Sequence, residues 1–176
     1  MVESLVIRHA SPNEVEAIAL LSTRTFWDAF GADNDPADME EYVRSAFSIE
    51  RMQAELSNPN HTFLLAFGGQ SPNPIGYAKL KSGAQTIKDD AHSIEIERLY
   101  VDKPAIGQGV GAALMNACLN EAAMLGYRTV VLGVWKRNER AIAFYQRWGF
   151  EPVGERVFML GADRQNDLIL QRSLLT

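Results

Sequence analysis

A chain of 176 residues, 47% of them apolar, is long enough for one domain with a full core and too short to suggest a second. A net charge of −5 argues against a nucleic-acid partner, which needs clustered Lys and Arg, and the single cysteine, Cys118, excludes an internal disulfide and favours a reducing cytosol. No apolar run approaches the roughly 20 residues that span a bilayer, and the first residues lack a basic-then-apolar leader, so a cytoplasmic protein with no membrane partner is expected.

Leu5 to Arg8 reads as a first strand. Ser11-Pro12-Asn13-Glu14 then forms a capping box with proline at the first helical position, opening a helix with apolar residues at Val15, Ile18, Ala19, Leu21, Phe26 and Phe30. A second helix is predicted from Asp35-Pro36 to Phe47 and a third from Ser48 to Leu56, stopped by Asn58-Pro59-Asn60. From Asp28 through Glu41 this half carries six carboxylates and no basic residue. Either these are solvated helix ends or they form a cation-attracting rim.

Strands are predicted at His61 to Phe67, Ile75 to Lys81 and Ser93 to Val101, with the polar stretch Ser82 to Ala91 read as a mobile hairpin loop. A helix then runs to about Leu125, where Gly126 stops it, and Thr129 to Trp135 is a nearly all-apolar strand, as expected when both faces are covered. A short helix from Asn138 to Gly149 and strands from Phe150 to Val157 and Asp167 to Leu174 complete one mixed α/β domain spanning residues 1–176. His9, His61 and His92 are scattered, so no metal is expected.

The most informative run is Leu99-Tyr100-Val101-Asp102-Lys103-Pro104-Ala105-Ile106-Gly107-Gln108-Gly109-Val110-Gly111-Ala112-Ala113-Leu114. An apolar strand breaks into a loop with three alternate glycines that opens into a helix, and the free amides and positive dipole end of such a helix suit a phosphate. A dinucleotide-binding turn needs G-x-G-x-x-G in the first strand-to-helix unit and an acid ending the next strand, whereas here the spacing is G-x-G-x-G and the next strand ends Leu132-Gly133-Val134-Trp135. A Walker loop needs Gly-Lys-Ser/Thr, and Gly111 is followed by Ala112.

From Ile106 to Gly111 the loop resembles the acetyl-CoA loop of the GCN5-related N-acetyltransferases, Arg/Gln-x-x-Gly-x-Gly/Ala at a helix start. Ile106 stands where that family usually has Arg or Gln, so it can add no charge or hydrogen bond, and Gln108 is expected to compensate in part. Asn138-Glu139-Arg140-Ala141-Ile142-Ala143-Phe144-Tyr145-Gln146-Arg147-Trp148-Gly149-Phe150 is similar to the family's N-x-x-A-x-x-F/L-Y-x-x-x-G-F element. Further likeness at Thr25-Phe26-Trp27-Asp28-Ala29-Phe30, at Ile94 to Val101, at Leu132 to Trp135 and at Phe158-Met159-Leu160-Gly161 with Gln165-x-Asp167 points to the PaiA-type polyamine acetyltransferases.

The resemblance implies one α/β domain with a mixed, largely antiparallel sheet of about seven strands, flanked by helices and splayed into a CoA-binding cleft. It implies acetyl-CoA as co-substrate, without a metal, and transfer to a primary amine by direct attack in a ternary complex, the acceptor being a small polycation such as spermidine. Pyrophosphate contacts fall to Ile106, Gly107, Gln108, Gly109, Val110, Gly111 and Ala112, and the pantetheine arm pairs like an extra strand along Leu99, Tyr100 and Val101. Asn138 and Tyr145 complete the cofactor contacts. Acetylation of a protein N-terminus or lysine, a non-catalytic CoA-binding module, and assembly as a homodimer stay open.

A lysine-like amine with a pKa of about 10.4 must lose a proton before it attacks, and the departing thiolate must gain one. Glu97 is the first candidate base, with Glu95 second, because period-two alternation puts Glu95, Glu97 and Leu99 on one face of their strand. Its competing role is a cross-strand ion pair with Lys79 or Lys81. Tyr145 is the candidate acid by resemblance, against a packing role beside Phe144 and Trp148. Trp27, Asp28 and Glu97 are the candidate acceptor contacts, and Cys118, in mid-helix, is a poor acyl acceptor.

Overall fold

The computed structural model describes residues 4–69, 71–83 and 90–175. Chain order is β1 (Val6–His9), α1 (Val15–Phe30), α2 (Pro36–Ala46), α3 (Ile49–Leu56), β2 (His61–Phe67), β3 (Gly76–Lys81), β4 (Ser93–Val101), α4 (Val110–Met124), β5 (Thr129–Trp135), α5 (Glu139–Arg147), β6 (Glu151–Leu160) and β7 (Asp163–Ser173). The hairpin-loop expectation falls partly on residues 84–89, which lie outside the described residues.

Local chemistry sets the helix starts. The Ser11 amide and hydroxyl both donate to the Glu14 carboxylate, at 2.8 and 2.9 Å, but the boxed residues Pro12–Glu14 form a separate 3-10 turn that precedes α1. Asp35 accepts the Ala37 amide at 2.8 Å and Ser48 accepts the Arg51 amide at 3.2 Å, capping α2 and α3.

The strands form one seven-stranded sheet in the order β1-β2-β3-β4-β5-β7-β6. Every neighbouring pair is antiparallel except β4 and β5, which are parallel. On one face α4 buries Val110, Leu114, Met115 and Cys118 against Leu64, Ala78, Leu80 and Ile96. On the other, α1, α2 and α3 bring Ile18, Leu21, Phe26, Met39 and Met52 onto Phe63, Leu65 and Tyr77. None of the described helices is long and apolar enough to cross a membrane.

Two expectations are corrected. The last strands are longer than predicted because the chain reverses in a tight turn, Leu160 pairing with Asp163 across Gly161, whose φ of 57° suits the first turn position. Alternation along β4 also fails at one place. Lys79 pairs with Arg98 but Leu80 with Ile96, so Glu97 is the extra residue of a β-bulge. Ile96 and Leu99 therefore both face α4, whereas Glu97 joins Lys79 and Arg98 on the opposite face, and Leu99 does not share the side of Glu97.

Candidate functional site

β4 and β5 pair only from Ser93 to Glu95 against Thr129 to Val131. Beyond that, β4 remains paired to β3 and β5 to β7, while the two strands diverge and leave facing backbone groups open to a ligand. The bulge at Glu97 explains the divergence, since an extra residue bends its strand and increases its twist. A cleft of ≈ 980 Å³ fills the gap, lined by Leu99, Tyr100 and Val101 on β4 and Gly133, Val134 and Trp135 on β5.

One end of the cleft has the geometry that suits an anion. Gly107 and Gly109 take φ of 82° and 90°, and a Cβ built at either meets nothing within 4 Å. The helix ladder of α4 begins with the Ala113 amide donating to the Gly109 carbonyl at 3.0 Å, so the amides of Val110, Gly111 and Ala112 point out along the axis without intrahelical acceptors. The Val110 side chain is core, 1% exposed, and contributes only its backbone. Ile106 lines the cleft as an exposed apolar residue. Gln108 does not compensate for it: its side-chain amide donates to the Pro104 carbonyl at 2.8 Å and its backbone amide to Ala105 at 3.3 Å, which braces the loop from within. Gly107, Gly109, Gly111 and Ala112 line the cleft, joined by the cations Lys103, Arg140 and Arg147.

α5 supplies the next wall. Asn138 caps it, its side-chain oxygen accepting the Ala141 amide at 3.1 Å, and also lines the cleft, so its two expected roles are geometrically compatible. Tyr145 reaches the cleft from within an aromatic group, its ring 5.4 Å from Phe144 and 5.9 Å from Phe150. Burial, with a smaller contribution from Cys118, pushes its phenol well above the usual value, so it stays protonated and can donate. Burial likewise pushes the Cys118 thiol up to about 12, leaving no thiolate for a covalent route.

The opposite face carries a charged cluster built around the bulge. Lys79, 1% exposed, contacts Glu97 and lies 3.1 Å from Glu55, which also takes a bidentate pair of contacts from Arg98 at 2.8 and 3.2 Å. Lys81 stands 3.6 Å from Glu97. Burial alone would push the Glu97 carboxyl up, but Lys79, Arg98 and Lys81 outweigh it and hold the group down at about 2. The cross-strand ion pair is therefore real, and Glu97 lines the cleft as well. Glu95 is 2% exposed, with Arg156 3.6 Å away.

Of the acidic segment, Asp28 alone lines the cleft. Asp35 is a helix cap, and Asp38 accepts the Ala162 amide at 3.1 Å, tying the β6–β7 turn to α2. Trp27 is not brought to the cleft. It packs over Gly31, where an added Cβ would meet its ring at 2.9 Å, because adjacent helical positions point in different directions. Sequence reading missed Arg156, whose guanidinium lies over Gly133 at 2.6 Å from where a Cβ would stand and 3.5 Å from Asp167. The signal was Gly133 itself, a glycine inside an otherwise apolar strand, which marks a close approach.

Residues 23–150 match the profile described as the acetyltransferase (GNAT) family. The chain is 32% identical over 171 residues to an uncharacterized N-acetyltransferase in the pepI 3′ region of Lactobacillus delbrueckii subsp. lactis, covering 96% of this chain and 97% of that one. It is 28% identical over 86 residues, 48% of this chain and 57% of the other, to a probable spermine N(1)-acetyltransferase of Bacillus subtilis subsp. natto. Its fold matches the crystal structure of PaiA N-acetyltransferase from Thermoplasma acidophilum in complex with coenzyme A, with a TM-score of 0.80, 21% identity and coverage of 97% and 99% of the two chains.

Proposed function

The chain belongs to the GNAT family of acetyl-CoA-dependent N-acetyltransferases, and from that premise we propose that its acceptor is a primary amine of a small polycation such as spermidine. The observation that carries this reading is that two carboxylates line the cleft, exposed Asp28 and Glu97, the latter an ionised hydrogen-bond acceptor whose net charge Lys79, Lys81 and Arg98 offset. Asp28 comes from α1 and Glu97 from β4, so the two acids reach the cleft from different elements. The partial likeness to a spermine acetyltransferase supports the same acceptor class.

Acetyl-CoA supplies an activated thioester whose sulfur must leave protonated. The residues present fit such a molecule: the outward amides of Val110, Gly111 and Ala112 suit its pyrophosphate, and the unpaired edge of β4 at Leu99, Tyr100 and Val101 suits an extended amide-bearing arm. Glu97 accepts an N–H of the acceptor ammonium and holds the nitrogen in place. The acceptor ammonium gives up two protons, one before attack and one from the tetrahedral adduct, and a carboxyl with a pKa of about 2 is a poor store for either, so both pass through water to bulk. Tyr145 donates a proton to the sulfur and recovers one from solvent. The net change is one acetyl group moved and one proton released.

A salt series on the KM of spermidine tests the acceptor, measured by acetyl-CoA-dependent thiol release. Attraction by exposed Asp28 makes KM rise as the Debye length falls from about 10 Å at 0.1 M to about 3 Å at 1 M. A salt-independent KM, with faster turnover of basic peptides than of spermidine, would replace the polyamine by a peptide acceptor.

A further inference from the structure

Three aromatic rings bridge the divergence of β4 and β5 on the side facing α1. Phe30, the last residue of α1, lies 6.4 Å from Tyr100 at the end of β4 and 6.0 Å from Trp135 at the end of β5, edge-on to both. Each ring is braced from behind. Phe26 sits 4.7 Å from Phe30 and itself stacks on Tyr42 at 4.6 Å; Tyr77 stacks on Tyr100 at 6.0 Å; the Arg137 guanidinium covers Trp135 at 5.2 Å. All three rings line the cleft, as do Asp28 and Glu97.

We infer that this arch of Phe30, Tyr100 and Trp135 sets the acceptor class, admitting a primary amine at the end of an unbranched methylene chain and rejecting an amine on a branched carbon. An acceptor on the α1 side reaches the unpaired edge of β4 past these rings. A methylene chain is narrow and apolar and slides along aromatic faces, leaving only its terminal nitrogen to find Glu97. A carbon that carries a further substituent beside the nitrogen needs extra width, and braced rings yield it only by leaving their packed positions. The arch therefore favours polyamines and lysine ε-amines over amino acids and peptide N-termini.

This inference rests on the amine-acetylation reading but not on spermidine itself. The test is internal competition within 1,4-diaminopentane, which carries one amine on a CH2 and one on a branched carbon, with product positions read by NMR and compared with chemical acetylation of the same diamine. The enzyme is expected to favour the CH2 nitrogen by at least about tenfold beyond the chemical ratio. Phe30→Ala brings the ratio to within about threefold of the chemical one, Phe30→Leu falls between, and CoA affinity stays unchanged in both. A packing role alone would alter rate and stability without altering where the acetyl group lands. An enzyme ratio equal to the chemical one, or the same ratio in a folded Phe30→Ala variant, overturns the arch. An enzyme that binds CoA yet acetylates neither nitrogen overturns the small-amine reading and the arch with it, whereas acetylation of this diamine but not of spermidine overturns only the polyamine acceptor.

Discussion

Replacing Glu97 by Gln removes one charge from the cleft wall and changes the shape little. If Glu97 anchors the acceptor ammonium, the variant loses a charge-assisted hydrogen bond of about 1.5–3 kcal/mol, or roughly 10- to 150-fold in kcat/KM. The loss falls mainly on KM. A carboxyl at about 2 lies some 8 units below an amine near 10.4, so direct proton transfer between them is uphill by about 11 kcal/mol and Glu97 contributes little as a proton sink. The deficit is greatest at neutral pH, where the acceptor is an ammonium ion, and shrinks toward pH 9.5 as free amine accumulates. Lys79 keeps Glu55 at 3.1 Å, so the variant should still fold, which a thermal melt checks. Steady-state thiol release with spermidine from pH 6.5 to 9.5 provides the measurement. An unchanged KM at neutral pH would refute the anchor and leave Glu97 a partner of Lys79 alone.

Gly109→Asp should abolish CoA binding in a titration calorimeter while the fold survives, because a Cβ there meets nothing, a φ of 90° costs about 1–2 kcal/mol, and the added carboxylate repels a phosphate. Tyr145→Phe keeps the packing against Phe144 and Phe150 and removes the proton donor, so kcat should fall roughly 10²-fold with CoA affinity unchanged; full activity would make Tyr145 a packing residue only. Acid stability follows from Glu97, whose carboxyl is lowered from 4.5 to about 2 in the folded chain. Its contribution is complete above pH 4.5 and is lost as pH falls toward 2, so urea unfolding of Glu97→Gln should show a weaker pH dependence than wild type across that window, and identical slopes would contradict the assignment.

Much of the fold was legible because it is dictated locally. Caps at Asp35, Ser48 and Asn138 and the glycines after β4 act through neighbours in the chain, so helix starts and the glycine turn that opens α4 could be read from spacing. The apolar run from Thr129 to Trp135 likewise announced a strand covered on both faces.

What depends on residues distant in sequence could not be read that way. The bulge at Glu97 exists only as a mismatch of register between β3 and β4, yet it sets which face the carboxylate occupies and why β4 leaves β5. Lys79, Glu55, Arg98 and Glu97 come from three separate elements, and only their convergence holds the carboxyl ionised. Asp28 and Trp27 are adjacent in sequence, but helix rotation sends one to the cleft and the other over Gly31. By itself the sequence determined the elements and the glycine turn that leaves the first amides of α4 pointing outward, because caps, glycine torsions and periodicity are short-range. The tertiary structure decided the charged cluster at the bulge and the aromatic lining of the cleft, because both depend on side chains that meet only when the sheet closes.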